Sequence, residues 1–161
     1  MIFVLTGTTY AFDPLVKAID AIAPSLKEKV IIQTGTSTYV PKNCEYFAFA
    51  PNVDNYIRKA SLVISHGGAG SSYEILAMGK PLISVENKEV NDSHQWDLLK
   101  KLESENYIIW CKDLSNLKKD IEEARKKKFA KYTPPACTIH KEIIKFLEPQ
   151  NKKTVQTRKK R

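Results

Sequence analysis

The chain has 161 residues, of which 42% are hydrophobic, and its formal net charge is +8. This length and composition are typical of one globular domain with its own core and exclude a disordered chain. No apolar run approaches the roughly 20 residues that cross a bilayer, and the start lacks the basic segment of a signal peptide, so we expect a cytoplasmic protein. Cys44, Cys111 and Cys137 show no paired spacing, which indicates reduced thiols.

The positive charge is concentrated at the end of the chain. Residues 151–161 carry six Lys and Arg and no acid, so the net charge falls from +8 to +2 on residues 1–150. We predict a domain over residues 1–150 and a basic, solvated tail over residues 151–161, with contact to an anionic membrane or an acidic partner as the alternative. No nucleic-acid partner is expected, because no aromatic residues are interleaved with the basic ones.

Short apolar runs alternate along the chain with amphipathic segments. The apolar runs predict strands over residues 2–5, 30–32, 46–49, 62–64, 81–85 and 107–110. The amphipathic segments predict one helix that begins at Asp13-Pro14 and others over residues 53–59, 71–78, 92–103, 114–128 and 137–147. The predicted N-caps are Asp13, Asn52 and either Asp92 or Ser93, and Gly79 is the predicted stop of the third helix.

The predicted strands are continuously apolar, which indicates a sheet that is buried on both faces. Alternation of such strands with helices predicts an α/β fold with a doubly wound, mostly parallel, Rossmann-like sheet. Ligands on sheets of this kind bind at the carboxyl ends of the strands. In this chain those ends are followed by the unusual segments 7–9, 35–36, 66–70 and 86–95.

The fourth predicted strand leads into a glycine-rich segment at residues 63–76, VISHGGAGSSYEIL. A bare turn does not need three glycines in four positions. An oxyanion hole, as in some esterases, would require a Gly-x-Ser-x-Gly nucleophile elbow as well, and this chain has no such segment. A phosphate site fits better, because free amides at a helix N-terminus bind oxyanions and glycine lets a diphosphate approach the backbone. The spacing matches neither a P-loop nor the dinucleotide fingerprint, so an ATPase and a dehydrogenase are not supported.

Side chains around these glycines leave alternatives open. Glu74 either closes a capping box with Ser71 or accepts hydrogen bonds from ribose hydroxyls. His66 is either a half-buried histidine with internal partners or part of the ligand cavity. Ser71 and Ser72 are expected to add hydroxyl donors for phosphate. No metal is expected, because no second ligand stands at a suitable spacing from His66.

Four segments then occur in order: LTGTTYAFDPLV near the start, VISHGGAGSSYEIL, GKPLISV and the pair His94-Gln95. Together they resemble the donor-binding half of the GT-B glycosyltransferases of family 28, over residues 1 to about 112. Within that family the chain most resembles the catalytic subunits of dolichol-pathway N-acetylglucosaminyltransferases. It departs from the family pattern at Gly68, where alanine is common, and at Ser93, where asparagine is common.

The resemblance implies a site for UDP-GlcNAc, without a cofactor or a metal. The implied donor-binding residues are Gly7, Thr8, His66, Gly67, Gly68, Ala69, Gly70, Ser71, Glu74, His94 and Gln95. In this assignment the glycines and Ser71 hold the diphosphate with help from Gly7 and Thr8, Glu74 takes the ribose, and His94 and Gln95 contact GlcNAc. Trp96 and Leu98, which follow in the sequence, are expected in the core.

The implied reaction is transfer of GlcNAc from UDP-GlcNAc, with inversion, to a lipid-linked sugar diphosphate, GlcNAc-PP-dolichol in the synthesis of N-glycan precursors. No residue is identified as the general base. A GT-B enzyme has two halves and this chain supplies one, so we expect a heterodimer with a membrane-anchored subunit that binds the acceptor. This places the chain on the cytosolic face of a membrane, the endoplasmic reticulum in a eukaryote.

The last predicted helix carries His140 and an apolar segment, residues 143–147. This helix either docks to the partner or packs onto the core. Two further functions stay open: a subunit of a two-chain exopolysaccharide glycosyltransferase, and a non-catalytic module that only binds a nucleotide sugar.

Overall fold

The computed structural model describes residues 1–88 and 94–147, with His94 described by its backbone alone. These residues form six strands: β1 (Ile2–Leu5), β2 (Val30–Gln33), β3 (Glu45–Phe47), β4 (Leu62–His66), β5 (Leu82–Val85) and β6 (Ile109–Cys111). The α-helices are α1 (Asp13–Ile22), α2 (Asp54–Lys59), α3 (Ala69–Ala77), α4 (His94–Ser104), α5 (Leu117–Ala124) and α6 (Ile139–Leu147), with 3₁₀ turns at Ala23–Ser25 and Leu114–Asn116. Each predicted strand is present, with ends shifted by at most two residues.

The six strands form one sheet in the order β3-β2-β1-β4-β5-β6, and every pair of neighbours is parallel. The predicted doubly wound, Rossmann-like sheet is therefore confirmed. The direction of winding reverses between β1 and β4, which pair from Ile2 opposite Leu62 to Leu5 opposite Ser65. Such a reversal opens a crevice at the carboxyl ends of the two strands, where ligands of these sheets bind.

The side chains of the strands alternate between two hydrophobic cores. Ile2 and Val4 of β1 pack with α1 and α5 on one face, and Phe3 and Leu5 pack with α2, α3 and α4 on the other. This alternation follows from the two-residue period of a strand. Burial of each large apolar side chain stabilises the fold by about 1.5–3 kcal/mol. The cores hold the strand ends, and with them the loops of the crevice, in fixed positions.

The predicted N-cap at Asp13 is wrong. The cap position of α1 is Phe12, without a side-chain hydrogen bond, and Asp13 is the first helical residue. The Asp13 carboxylate instead accepts hydrogen bonds from the amide and the hydroxyl of Thr38, at 2.9 and 2.6 Å. The predicted N-cap at Asn52 is wrong as well, because the cap position of α2 is Val53. Asn52 precedes it, and its Oδ1 accepts a hydrogen bond at 2.7 Å from the amide of Asp54. The caps predicted at Asp92 or Ser93 lie outside the described residues.

Two further predictions about helices are wrong, one about a buried side chain and one about the length of a helix. Trp96 is 44% exposed rather than in the core, because the buried residues of α4 are Leu99 and Leu102. The helix predicted over residues 114–128 is a 3₁₀ turn followed by the shorter α5. Leu98, also on α4, is partly buried and packs against the core, as expected.

Helix α6 does not pack onto the core, so that alternative for the end of the chain is wrong. Every residue from 133 to 147 is exposed. The large apolar side chains of α6, Ile139, Ile143, Ile144, Phe146 and Leu147, are between 50% and 84% exposed. None of the helices in the described ranges is long and apolar enough to cross a membrane. The predicted basic tail, residues 151–161, lies outside the described residues.

The three cysteines are free, as expected. Burial raises the pKa of Cys44 to about 12, and it also raises that of Cys111 to about 12. Both thiols are therefore protonated near neutral pH and lack the thiolate that nucleophilic chemistry needs.

Candidate functional site

A cavity of about 180 Å³ lies at the carboxyl ends of β1, β4 and β5, where the winding of the sheet reverses. It is lined by Thr6, Gly7, Thr8, Thr9, Tyr10, His66, Gly68, Asn87 and Gln95. The predicted residues Gly7, Thr8, His66, Gly68 and Gln95 are thus brought together from three separate parts of the chain. The cavity occupies the position at which parallel α/β sheets bind ligands.

The glycine-rich segment joins β4 to α3 at this cavity. The cap position of α3 is Gly68, in an extended conformation and without a side-chain hydrogen bond. The first helical bond runs from the amide of Ser72 to the carbonyl of Gly68, at 3.1 Å. The amides of Ala69, Gly70 and Ser71 precede it and have no partner within the helix. The positive end of the helix dipole and these amides together favour an anionic ligand.

The two serines of this segment, Ser71 and Ser72, differ from each other in their surroundings. Ser72 is fully buried, and its hydroxyl donates to the carbonyl of Gly68 at 2.9 Å. The expectation that Ser72 offers its hydroxyl to phosphate is therefore wrong. Ser71 is half-buried in the first turn of α3 and is the one of the two that is accessible to a ligand.

Glu74 lies on the exposed side of α3, one turn after Gly70. The capping-box alternative is wrong, because the cap position is Gly68 and Ser71 is already helical. Within residues 1–88 and 94–147 the structure shows no hydrogen bond or ion pair of the Glu74 carboxylate. Its carboxylate is therefore available to a ligand that extends along α3 from the phosphate end.

The His66 imidazole is held in the cavity wall between two backbone segments. A Cβ at Gly7 would lie 3.0 Å from the ring atoms Cε1 and Nε2, and a Cβ at Gly68 would overlap with Nε2. Nδ1 lies 3.4 Å from the carbonyl oxygen of Leu5, to which it can donate. Burial lowers the pKa of His66, although the contact with Leu5 opposes this shift. The imidazole is therefore neutral near pH 7, and it both lines the cavity and has an internal partner.

Gly7 is glycine for two reasons. Its φ is +82°, in the left-handed region that side chains rarely adopt, and the His66 ring occupies the space next to its Cα. The segment after β1 can therefore turn across the end of β4 without pushing the imidazole away. This places residues 8–10 along one side of the cavity.

Gln95, in the first turn of α4, reaches the cavity from the opposite side. Its Oε1 accepts a hydrogen bond from the backbone amide of Asn87 at 3.4 Å. A Cβ at Gly67 would lie 2.9 Å from Cδ1 of Leu99 and 3.0 Å from the same oxygen, so Gly67 faces α4 and is not among the residues that line the cavity. The side chain of His94 lies outside the described residues.

The predicted donor-binding residues did not include four residues of the cavity, Thr6, Thr9, Tyr10 and Asn87, although Thr9 and Asn87 lie in the segments 7–9 and 86–95 that were expected at the binding edge of the sheet. The first three follow β1 directly, and the position of that strand end pointed to them. Asn87 is 5% exposed and belongs to a polar loop without a recognisable motif. A second cavity of about 230 Å³ adjoins the first at Asn87 and extends between the start of α1 and the end of β6.

Residues 1–88 and 94–147 contain no group of three or more His, Cys, Asp and Glu side chains that could hold a metal ion. The titratable side chains that line the first cavity are His66 and Tyr10. The arrangement can bind an anion through amides and present a neutral imidazole to it. Independence from a metal stays a prediction.

Known proteins are similar to this chain in sequence and in fold. The family model described as glycosyltransferase family 28 C-terminal domain matches residues 1–148. The UDP-N-acetylglucosamine transferase subunit ALG13 of Homo sapiens is 38% identical over 125 residues, which are 68% of this chain. The match covers 11% of the human protein, so this chain spans about a tenth of that relative.

Two solved structures have the same fold. An NMR solution structure of ALG13 matches with a TM-score of 0.58 and 23% identity, over 89% of this chain and 93% of that one. Crystalline MurG from Acinetobacter baumannii matches with a TM-score of 0.64 and 17% identity, over 90% of this chain and 49% of that one. The match over residues 1–148 and the identity to the human relative show that this chain belongs to the glycosyltransferase family 28 C-terminal domain family.

Proposed function

We propose that this chain is the donor-binding subunit of a two-chain N-acetylglucosaminyltransferase that uses UDP-GlcNAc. The observation that carries the proposal is the set of amides at the start of α3, which have no partner within the helix beside a cavity at the reversal of the sheet. Membership of the family and the name of the human relative, a transferase subunit, support the choice of donor.

The donor is placed along the start of α3. The diphosphate binds the amides of Ala69, Gly70 and Ser71 next to Gly68, with Gly7 and Thr8 closing on it from the end of β1. From that position the ribose lies beside Glu74, whose exposed carboxylate accepts from both sugar hydroxyls. GlcNAc then extends toward the first turn of α4, where Gln95 and His94 contact its hydroxyls.

The reaction is a displacement at C1 of GlcNAc. A base takes the proton of the acceptor hydroxyl, the acceptor oxygen bonds to C1 from the face opposite UDP, and the bond between C1 and the diphosphate oxygen breaks. UDP leaves with the electron pair, and the amides and the dipole of α3 stabilise the charge that develops on it. The acceptor is a lipid-linked sugar diphosphate, GlcNAc-PP-dolichol.

The general base is supplied by a second chain. Among the described residues of the cavity, His66 contacts the backbone of Leu5 and lies on the donor side, and Tyr10 lies on the segment that follows β1. Neither is placed to take a proton from an acceptor on the far side of C1. A partner that forms the other half of the cleft provides both the acceptor site and the base.

The partner docks on α6. This helix presents five large, exposed apolar side chains, Ile139, Ile143, Ile144, Phe146 and Leu147, with His140 on the same helix. Exposed apolar patches of this kind mark protein interfaces. A membrane-anchored partner bound here holds the chain on the cytosolic face of the endoplasmic reticulum, and the basic tail adds attraction to anionic lipid.

The second candidate is a non-catalytic module that binds the nucleotide sugar, favoured by the lack of a general base in the described cavity. Co-purification from native membranes identifies the partner, and release of UDP from UDP-GlcNAc is then measured with the lipid-linked acceptor. We expect turnover with both chains present and none with either alone. Binding of UDP-GlcNAc without turnover in the complex supports the module, and an absence of binding contradicts both candidates.

A further inference from the structure

Asn87 joins three parts of the cavity that are far apart in the sequence. It lies on the loop after β5 and is 5% exposed. Its side-chain Nδ2 donates to the carbonyl of Ala11 at 3.0 Å, across 76 residues of sequence. Its backbone amide donates to Oε1 of Gln95 at 3.4 Å. The loop after β1, the loop after β5 and the first turn of α4 are thus connected through one residue.

These contacts determine how Gln95 meets the cavity. Because Oε1 accepts from the amide of Asn87, the two N–H donors of Gln95 Nε2 stay available for a ligand. Gly67 limits the side chain from the other direction, since a Cβ there would lie 3.0 Å from Oε1. The carboxamide of Gln95 is therefore confined between the amide of Asn87 on the loop after β5 and the backbone of Gly67 after β4.

The Asn87 side chain acts on Gln95 only through the backbone. The bond from Nδ2 to Ala11 fixes the loop after β5, and this loop carries the amide that orients Gln95. Ala11 follows Tyr10 of the cavity wall, so the same bond fixes the end of the segment over residues 8–10. Loss of the side chain frees both sides of the pocket while it leaves the start of α3 unchanged.

We propose that Asn87 is a positioning residue that orients the Gln95 carboxamide toward the sugar of the nucleotide sugar and so sets discrimination between sugars. This inference rests on the proposed function, since it takes the donor to be UDP-GlcNAc. Gln95 is partly buried, so a sugar whose hydroxyls do not meet its donors leaves them poorly paired, and an oriented carboxamide therefore separates similar sugars.

The test compares Asn87→Ala with the unchanged chain by calorimetric titration with UDP, UDP-GlcNAc and UDP-GalNAc, whose sugar differs from GlcNAc only in the orientation of one hydroxyl. We expect the affinity for UDP-GlcNAc to fall about fivefold to tenfold more than the affinity for UDP, and the preference over UDP-GalNAc to fall with it. In a Gln95→Ala background, Asn87→Ala removes no further discrimination, because it acts through Gln95. Equal losses for all three ligands, or additive effects of the two substitutions, overturn the proposal.

Asn43→Ala is the matched control. The Asn43 side chain also donates to a distant carbonyl, that of Asp20 at 3.1 Å, but far from the cavity. Because Asn43 is exposed, its substitution should lower the melting temperature by no more than Asn87→Ala does, and it should leave the ratios of affinities unchanged. A purely structural role of Asn87 predicts the same behaviour for both variants.

A measurement without nucleotide separates this inference from the proposed function. In the ¹⁵N spectrum of the free chain, the side-chain NH₂ signals of Gln95 should move in Asn87→Ala and stay in place in Asn43→Ala. Unmoved Gln95 signals overturn the positioning role. If the unchanged chain binds no UDP, the proposed function is wrong, and the Gln95 signals still decide whether Asn87 orients this side chain.

Discussion

The imidazole of His66 occupies the space that a side chain at Gly68 would fill. The two residues lie on either side of Gly67, at the turn from β4 into α3. The position of the ring therefore depends on the absence of a Cβ at Gly68. Alanine, which the family pattern often has at this position, is compatible with this backbone only after the ring moves.

We predict that Gly68→Ala displaces His66 from the wall of the cavity. The contact between Nδ1 and the Leu5 carbonyl is lost, and binding of UDP weakens by about tenfold, which corresponds to about 1.4 kcal/mol. Ring carbon shifts in NMR spectra report the movement, and calorimetry reports the affinity.

A double-mutant cycle with His66→Ala is the control for this prediction. Without the ring, Gly68→Ala should have almost no further effect on stability, because the clash is gone. An unchanged His66 spectrum in Gly68→Ala contradicts the account of this pair.

The neutral state of His66 predicts uptake of a proton on binding. Burial holds its pKa below the usual 6.5, and a bound diphosphate raises it by favouring the imidazolium. Between those two pKa values, binding of UDP-GlcNAc takes up a proton, since its diphosphate does not titrate in this range. Calorimetry at pH 6 in buffers of different ionisation enthalpy measures the number of protons.

The variant His66→Asn should abolish this proton uptake. The same depressed pKa also means that the free protein loses stability as the pH falls below 6.5, because the unfolded chain takes the proton first. Uptake that persists in His66→Asn assigns the proton to another group.

Glu74→Ala should weaken binding of UDP without lowering stability. The carboxylate is exposed and has no partner among the described residues, so its loss leaves the fold intact. We expect a loss of affinity of about tenfold for UDP and a smaller one for 2′-deoxy-UDP, which lacks one of the two hydroxyls. Calorimetric titration with both nucleotides measures the difference.

Glu122→Ala provides the comparison for Glu74, since Glu122 is also an exposed helical glutamate but lies on α5. It should bind both nucleotides as the unchanged chain does. If Glu74→Ala binds UDP as tightly as the unchanged chain does, the prediction is wrong and Glu74 is an ordinary surface residue.

Glu28 should determine much of the stability in acid. Its carboxylate accepts from the Met1 amino group at 2.8 Å, from the Ser61 hydroxyl and from Arg125 at 2.9 Å. The hydrogen bond from the Met1 amino group is the largest cause that lowers its pKa, from 4.5 to about 2. A depressed carboxyl pKa stabilises the fold above pH 4.5, and this contribution is lost as the pH falls toward 2.

Glu28→Gln is therefore expected to lower the free energy of unfolding at pH 7 by about 1–3 kcal/mol and to flatten its decline below pH 5. Urea denaturation over a range of pH measures both effects. Glu45→Gln removes the exposed pair of Lys29 and Glu45 and should cost less than about 1 kcal/mol. Equal effects of the two substitutions contradict a special role of Glu28.

The sequence predicted the strands well because a strand buried on both faces leaves a continuous apolar run, as in β1 and β4. Helix starts were harder, since a cap depends on the tertiary partner of the side chain. Asp13 has the right residue type for a cap, but Thr38 in another loop takes its carboxylate. Trp96 lies on α4 beside the face that carries Leu99 and Leu102. These two leucines are buried and Trp96 is exposed, and the sequence of the first turn does not show which face of the helix is buried.

The candidate site was predicted to the extent that local sequence encodes it. The glycines, His66 and Glu74 stand within nine residues, so their order indicated an anion site at a helix start. Asn87 could not be found in this way, because its bond to Ala11 joins positions 76 residues apart. The amphipathic pattern of α6 predicted the helix but did not decide whether its apolar side chains pack onto the core, and in the structure they are exposed.

The central claim is that the amides at the start of α3 bind the diphosphate of a uridine nucleotide. Titration of the ¹⁵N-labelled chain with UDP tests it most directly. We predict saturable shifts of the amides from Gly67 to Ser71, none in α5, and smaller shifts in Gly70→Ala, whose Cβ would enter the open space beside that residue. Unmoved amides from His66 to Glu74 at excess UDP would contradict the claim.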